Sequence, residues 1–187
     1  MGVMMRGFKH IFAATLLAVG FSLPVAADQV RLDDLMAQLR GAENSRAANL
    51  VLREIAAEWS RSGSASIDLL LRRGSDALAA GDYPAAVEHL TAAIDHAPDF
   101  AEAYHQRATA YYQLGQVGPA LADLQATLRL NPAHFSALQG LAVILQDMGR
   151  KAEALEVFAL VHDLNPQDTD MAEAIDRLEQ ELAGRAI

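Results

Sequence analysis

The stretch AYYQLGQVGPALADLQATLRLNP, Ala110 to Pro132, is built from helix-forming residues, yet Gly115, Gly118 and Pro119 stand in its middle. Inside a helix a glycine costs about 1 kcal/mol and a proline about 3 kcal/mol relative to alanine, so one continuous helix is a poor reading. Two helices joined by a tight turn fit better. Gly115 can take the left-handed backbone that closes a helix. Pro119 falls in an opening turn, where a missing N–H costs nothing. Pro132 then stops the second helix.

The same punctuation recurs. Written in blocks of 34, the segments 67–100, 101–134 and 135–168 align without a gap. Gly81, Gly115 and Gly149 coincide, as do Pro98, Pro132 and Pro166. The positions between them keep their character: Leu70, Tyr104 and Leu138 are large, and Gly74, Ala108 and Ala142 are small. Ala77, Tyr111 and Leu145 follow, then Ala86, Ala120 and Ala154, then Leu90, Leu124 and Phe158. A fixed period of this kind marks a repeat architecture and outranks any local reading.

The order of large, small, aromatic, alanine and proline positions over 67–168 resembles the tetratricopeptide repeat (TPR). It departs where Leu70 and Leu138 replace an aromatic residue, and where Arg73 and Arg107 replace an apolar one. The resemblance implies an all-α TPR-type solenoid, a right-handed superhelix of antiparallel helix pairs. Elementary packing gives the same picture. Each block is a helical hairpin, about 68–80 and 84–96 in the first. The small residues sit where paired helices approach most closely, and overpacking there costs about 1–3 kcal/mol. One hairpin cannot bury its apolar face alone, so stacking supplies the core.

The flanks complete the organisation. Residues 1–27, MGVMMRGFKHIFAATLLAVGFSLPVAA, place Arg6 and Lys9 ahead of an apolar run and end in small residues. This is the layout of a secretory signal peptide, with cleavage expected between Ala27 and Asp28. The apolar run is shorter than the roughly 20 residues of a membrane span. Residues 28–60 carry the stripes Leu32, Leu35, Met36, Leu39 and Ala48, Leu52, Ile55. They are expected to form a degenerate helical pair capping the N-terminal end of the stack, with Trp59 sealing the junction and 61–66 as connector. After Pro166, Asp168 to Asp170 offer N-caps. Met171, Ile175, Leu178 and Leu182 then predict a C-terminal capping helix within 169–187.

Composition limits the function. The 187-residue chain has no cysteine, which excludes disulfides, thiolate metal sites and thiol nucleophiles. Without residues 1–27 it holds 13 basic and 24 acidic side chains, a net charge of −11. Such a surface repels nucleic-acid phosphates and anionic headgroups, so neither nucleic acid nor, once the signal is cleaved, a membrane is an expected partner. His89, His96, His105, His134 and His162 fall at different repeat positions without metal-ligand spacing, and no phosphate loop, zinc-protease or nucleophile-elbow motif occurs. No catalytic residue, cofactor or metal site is expected. One polar pair looks placed: Arg107 and Asp123, which become Leu141 and Val157 together in the third block, predict a partly buried ion pair.

In the TPR architecture the first helix of each repeat lines a concave face, and helical phase then selects the residues that point into it. The expected partner-binding residues are Leu71 and Ser75 in the first block, His105, Gln106, Thr109 and Tyr112 in the second, and Gln139, Val143 and Gln146 in the third. Tyr112 is the expected anchor, an aromatic side chain with a polar tip. Some TPR proteins hold a C-terminal carboxylate with Lys, Arg and Asn. The matching places here are Leu71, Ser75, Gln106, Ser136 and Gly140, which supply no cation, so a neutral or basic segment is the expected partner. The layout resembles small exported TPR proteins of Gram-negative bacteria, which implies a non-catalytic periplasmic adaptor binding a protein or peptide. The alternative is a structural subunit that forms a homo-oligomer through an end of the stack.

Overall fold

The computed structural model describes residues 23–184, with side chains described from Val30 onward. The expected signal segment through Ser22 lies outside the described residues. Among these there are nine helices and no strand: α1 (Leu23–Arg40), α2 (Ser45–Trp59), α3 (Ala65–Ala79), α4 (Tyr83–His96), α5 (Ala101–Gln113), α6 (Val117–Leu130), α7 (Phe135–Asp147), α8 (Lys151–Leu164) and α9 (Thr169–Ala183). No helix among the described residues is long and apolar enough to cross a membrane. The expected cleavage point falls inside α1, which begins at Leu23.

The glycine turns are as the sequence requires. Gly81, Gly115 and Gly149 have φ of 74°, 72° and 77°. In each turn the N–H three positions past the helix bonds back five residues, Asp82 to the Ala77 carbonyl, Gln116 to Tyr111 and Arg150 to Leu145 at 2.8–2.9 Å, while the glycine N–H bonds back three. This double closure satisfies the last carbonyls of the first helix.

Hairpins α3–α4, α5–α6 and α7–α8 stack in chain order. Ala86, Ala120 and Ala154 are fully buried where each pair crosses, and Leu90, Leu124 and Phe158 fill the space beside them. At Gly74 the approach is tightest, since an added Cβ would stand 2.5 Å from Leu90 Cγ. Helix α9 closes the C-terminal end, its Met171 and Leu178 joining a core with Leu138, Leu145 and Phe158. The Asp168 side chain accepts the Met171 N–H at 3.0 Å and so caps the helix. Arg107 and Asp123 meet as expected: Nε to Oδ2 is 2.7 Å and Nη2 to Oδ1 is 2.9 Å. The remaining Nη1 donates to Thr91 Oγ1 at 2.9 Å, so the pair ties the first repeat to the second.

The N-terminal pair corrects the sequence reading. Helices α1 and α2 do form a hairpin over the expected stripes, but they do not cap the N-terminal end. Leu35, Met36, Leu39, Ala48 and Ile55 form their own cluster, packed against Ala133, Phe135 and Leu164 of the third repeat and its preceding loop. Ser45 Oγ donates to the Gln167 carbonyl at 3.2 Å, pinning the start of α2 to the loop before α9. Trp59 lies against His134, with ring centroids 4.2 Å apart and planes at 19°. The connector crosses back to α3, held by Ser62 N–H and Oγ bonds to Asp68 Oδ1 at 2.8 and 2.6 Å. Ala133 in the loop before α7, Phe135 at the start of α7 and Leu164 at the end of α8 present apolar side chains along one edge, and the stripes of the hairpin bury against them.

Candidate protein-interaction site

Helices α5 and α7 run side by side along the concave face, and a cavity of about 300 Å³ opens between them. Its floor is Ala108, Leu124, Gly140 and Ile144, and its walls are His105, Thr109, Tyr112, Ser136, Gln139 and Val143. At Gly140 an added Cβ would stand 3.5 Å from Leu124 Cδ2, so the glycine lies directly over that buried leucine. The structure therefore brings together five of the residues selected from sequence: His105, Thr109, Tyr112, Gln139 and Val143. Tyr112 OH donates to Asp147 Oδ2 across the two helices. That bond raises the phenol above its ordinary value and holds the ring upright as one wall.

The other selected residues behave differently. Leu71 is only 3% exposed and belongs to the core of the first two repeats, so it is a packing residue and not a groove contact. An apolar side chain at the seam between α3 and α5 withdraws into that core. Ser75 and Gln106 are spent on each other. Ser75 Oγ donates to Gln106 Oε1 at 2.5 Å, and Gln106 Nε2 donates to Glu102 Oε1 at 2.8 Å. Gln146 is exposed near the far end of α7 and does not line the cavity.

At the N-terminal ends of α5 and α7 the groove continues into a second cavity of about 320 Å³ that sequence reasoning missed. Helix α2 forms its outer wall with Asn49, Leu52, Arg53, Ala56 and Trp59, opposite Glu102, His105, Phe135 and Ser136. His105 and Ser136 line both cavities. The missed residues carried one signal, an N-cap place for His134 ahead of α7, but nothing marked α2 as their neighbour.

Beneath this second cavity Glu102, His105 and His134 are gathered, correcting the expectation of scattered histidines. One ligand-type atom of each lies within 4.8 Å of the others, a spacing that could face a cation. The hydrogen bonds show another use. His134 Nδ1 accepts the Ala137 N–H at 3.2 Å, so its proton sits on Nε2, which faces Glu102 Oε2 at 3.0 Å. A cation on Nε2 would push that proton to Nδ1 and break the cap of α7. The neutral ring, 1% exposed, fits every partner it has. Burial lowers the His134 value below the ordinary 6.5, against the bond with Glu102. Burial would raise the Glu102 carboxyl, but the bonds with His105, His134 and Gln106 and the charge of His105 win and hold it well below the usual carboxylate range.

Known proteins share this architecture. The profile described as TPR repeat matches residues 74–115, and the profile described as Tetratricopeptide repeat matches 105–169. A TPR repeat-containing protein of Rhizobium etli is 35% identical over 154 residues, 82% of this chain and 76% of that protein. The Protein SGT1 homolog of Bos taurus is 37% identical over 120 residues, 64% of this chain but 36% of that protein. Among solved structures, the first TPR of Spaghetti (RPAP3) bound to HSP90 peptide SRMEEVD superposes with a TM-score of 0.59 at 22% identity, covering 63% of this chain and 93% of that one. The TPR2B-domain:pHsp70-complex of yeast Sti1 gives 0.58 at 22% identity, covering 63% and 99%. The chain belongs to the tetratricopeptide repeat family. It is a protein–protein interaction module.

Proposed function

We propose that this chain is an exported, non-catalytic adaptor of the periplasm that holds a segment of another envelope protein in its concave groove. The observation that carries the reading is the cavity between α5 and α7, with an apolar floor and polar walls wide enough for one large side chain. Concave sites of this make-up, apolar with a few placed polar groups, are where proteins take side-chain anchors. The structural relatives bound to HSP90 and Hsp70 peptides support a peptide segment as the occupant. The charged amino-terminal layout supports export.

Capture of partners by the chain lacking residues 1–27, with and without Tyr112→Ala plus His105→Ala, tests the groove. Loss of the same heterologous partner from the variant, with helicity unchanged, is the expected result. Retention of that partner would overturn it. Cell fractionation with mass measurement tests export: the expected periplasmic form begins at Asp28, and a full-length cytoplasmic chain contradicts it.

One observation favours the alternative of a self-associating subunit. With the hairpin docked elsewhere, the outer side of α3 keeps Leu69 at 43% exposure beside a cavity lined by Ser66, Ile67, Leu70 and His96. A concentration-dependent dimer on a sizing column, abolished by Leu69→Glu, would establish it.

A further inference from the structure

We infer that the hairpin α1–α2 completes the binding site, and that its arginines make the groove select an internal segment carrying acidic side chains beside an apolar anchor. The inference rests on the groove reading above and names the chemistry of its partner.

The cavities adjoin one another. The one between α5 and α7 shares His105 and Ser136 with the one beneath α2. That cavity shares Asn49 and Arg53 with a third hollow, lined by Arg46, Asn49, Leu50 and Arg53. These four residues stand at i, i+3, i+4 and i+7, one face of α2. Leu50 is 57% exposed between the two arginines.

Charge sets the polarity of the path. Arg31, Arg61, Arg107, Arg150 and Lys151 are each paired with a carboxylate. Arg46 and Arg53 have no such partner among the described residues, and unlike the other arginines without one (Arg40, Arg72, Arg73, Arg129 and Arg177) they line these cavities. Glu102, the carboxylate that shares a cavity with Arg53, has Oε1 engaged by Gln106 and Oε2 facing His134. The positive ends of the α5 and α7 dipoles point the same way, since Glu102 lies in the first turn of α5 and Phe135 and Ser136 open α7. The far end of the groove carries Asp147 at the negative end of α7. The chain as a whole is acidic, but α2 sets Arg46 and Arg53 beside this end of the groove against the single carboxylate of Glu102, so an acidic segment fits here in place of the neutral or basic one expected above.

The path does not end at Arg53, because it runs on past Leu50 to Arg46. A passing segment therefore fits better than a chain end. Residues seven apart on a helix are separated by about 10 Å, which three residues of extended peptide cover at about 3.3 Å each. The partner carries an apolar side chain for the cavity between α5 and α7, then acidic side chains three apart.

Trp59, the one tryptophan of the chain, lines the middle cavity and reports on it without a label. The probes are blocked peptides titrated against the chain lacking residues 1–27: acetyl-LSEGSE-amide, its Gln and Lys counterparts in place of Glu, and acetyl-SSEGSE-amide. The Glu peptide should shift Trp59 emission saturably and bind at least tenfold tighter than the Gln peptide, the Lys peptide being weakest. Loss of the leucine should weaken it severalfold. Arg53→Glu should weaken the Glu peptide at least tenfold with unchanged helicity, while Arg53→Lys retains most of the binding. Arg177→Glu, exposed on α9, controls for net charge and should change nothing.

Equal binding of Glu and Gln peptides, preference for Lys, or indifference to Arg53→Glu would overturn the inference. So would tighter binding of acetyl-LSQGSQ with a free carboxyl end, which would assign the arginines to a chain terminus. Absence of any saturable change up to millimolar peptide also overturns it. The Tyr112→Ala plus His105→Ala capture decides the groove reading separately.

Discussion

Asp123 is 6% exposed, and its carboxylate is spent entirely on Arg107. Asp123→Ala strands the guanidinium between Tyr104 and Tyr111, and removing one partner of a buried pair costs about 3–5 kcal/mol. Replacing both, Arg107→Leu with Asp123→Val, copies the third repeat and should recover most of that loss. Urea unfolding of the two variants checks this, and equal losses would contradict it. A second residue-scale outcome concerns Gly74. Gly74→Ala drives a methyl against Leu90, which is fully buried and has nowhere to move, and should destabilise by about 1–3 kcal/mol. The ion pair was legible because both members turn apolar together in another repeat. Leu71 was misplaced because helical phase gives a direction, while the burial of that direction depends on the neighbouring helix.

At the scale of elements, helices α3 to α9 and their turns were legible within a few residues, since glycine, proline and alanine at a fixed period leave few alternatives. The place of α1–α2 was not. An apolar stripe states that a helix must be covered, and any uncovered apolar edge of the stack can do so. One of the contacts that tie the hairpin to the stack is Trp59 on His134, and it predicts a pH dependence. The folded chain keeps His134 neutral below its ordinary 6.5, so as pH falls through that value the unfolded chain binds the extra proton and stability drops. Glu102 is held low, so its own contribution is lost only as pH falls below the ordinary carboxylate value of 4.5. Between pH 7.5 and 5.5 the histidine change dominates among the groups that meet there, Glu102, His105, His134 and Trp59. The melting temperature should fall over that range, with red-shifted Trp59 emission, and fall less in His134→Gln. An identical slope in both chains would contradict the assignment. Trp59→Ala should free the hairpin while sparing the repeats, seen as faster proteolysis within 41–64 with little loss of total helicity.

At the scale of the whole molecule, the sequence identified a curved stack with a concave face, and five of its selected residues do share one cavity. It could not show that α2 forms the other wall, nor that a chain of net −11 sets Arg46 and Arg53 beside the groove. Net charge averages over a surface, whereas a partner meets the few side chains that topology places together. The most direct measurement is site-specific photo-crosslinking. A photoreactive side chain replaces Thr109, exposed in the groove, or Glu156, exposed on α8. Adducts to a partner protein from position 109 and none from 156 are the result expected of a groove-binding adaptor. Equal adducts from both positions, or adducts from 156 alone, would contradict it.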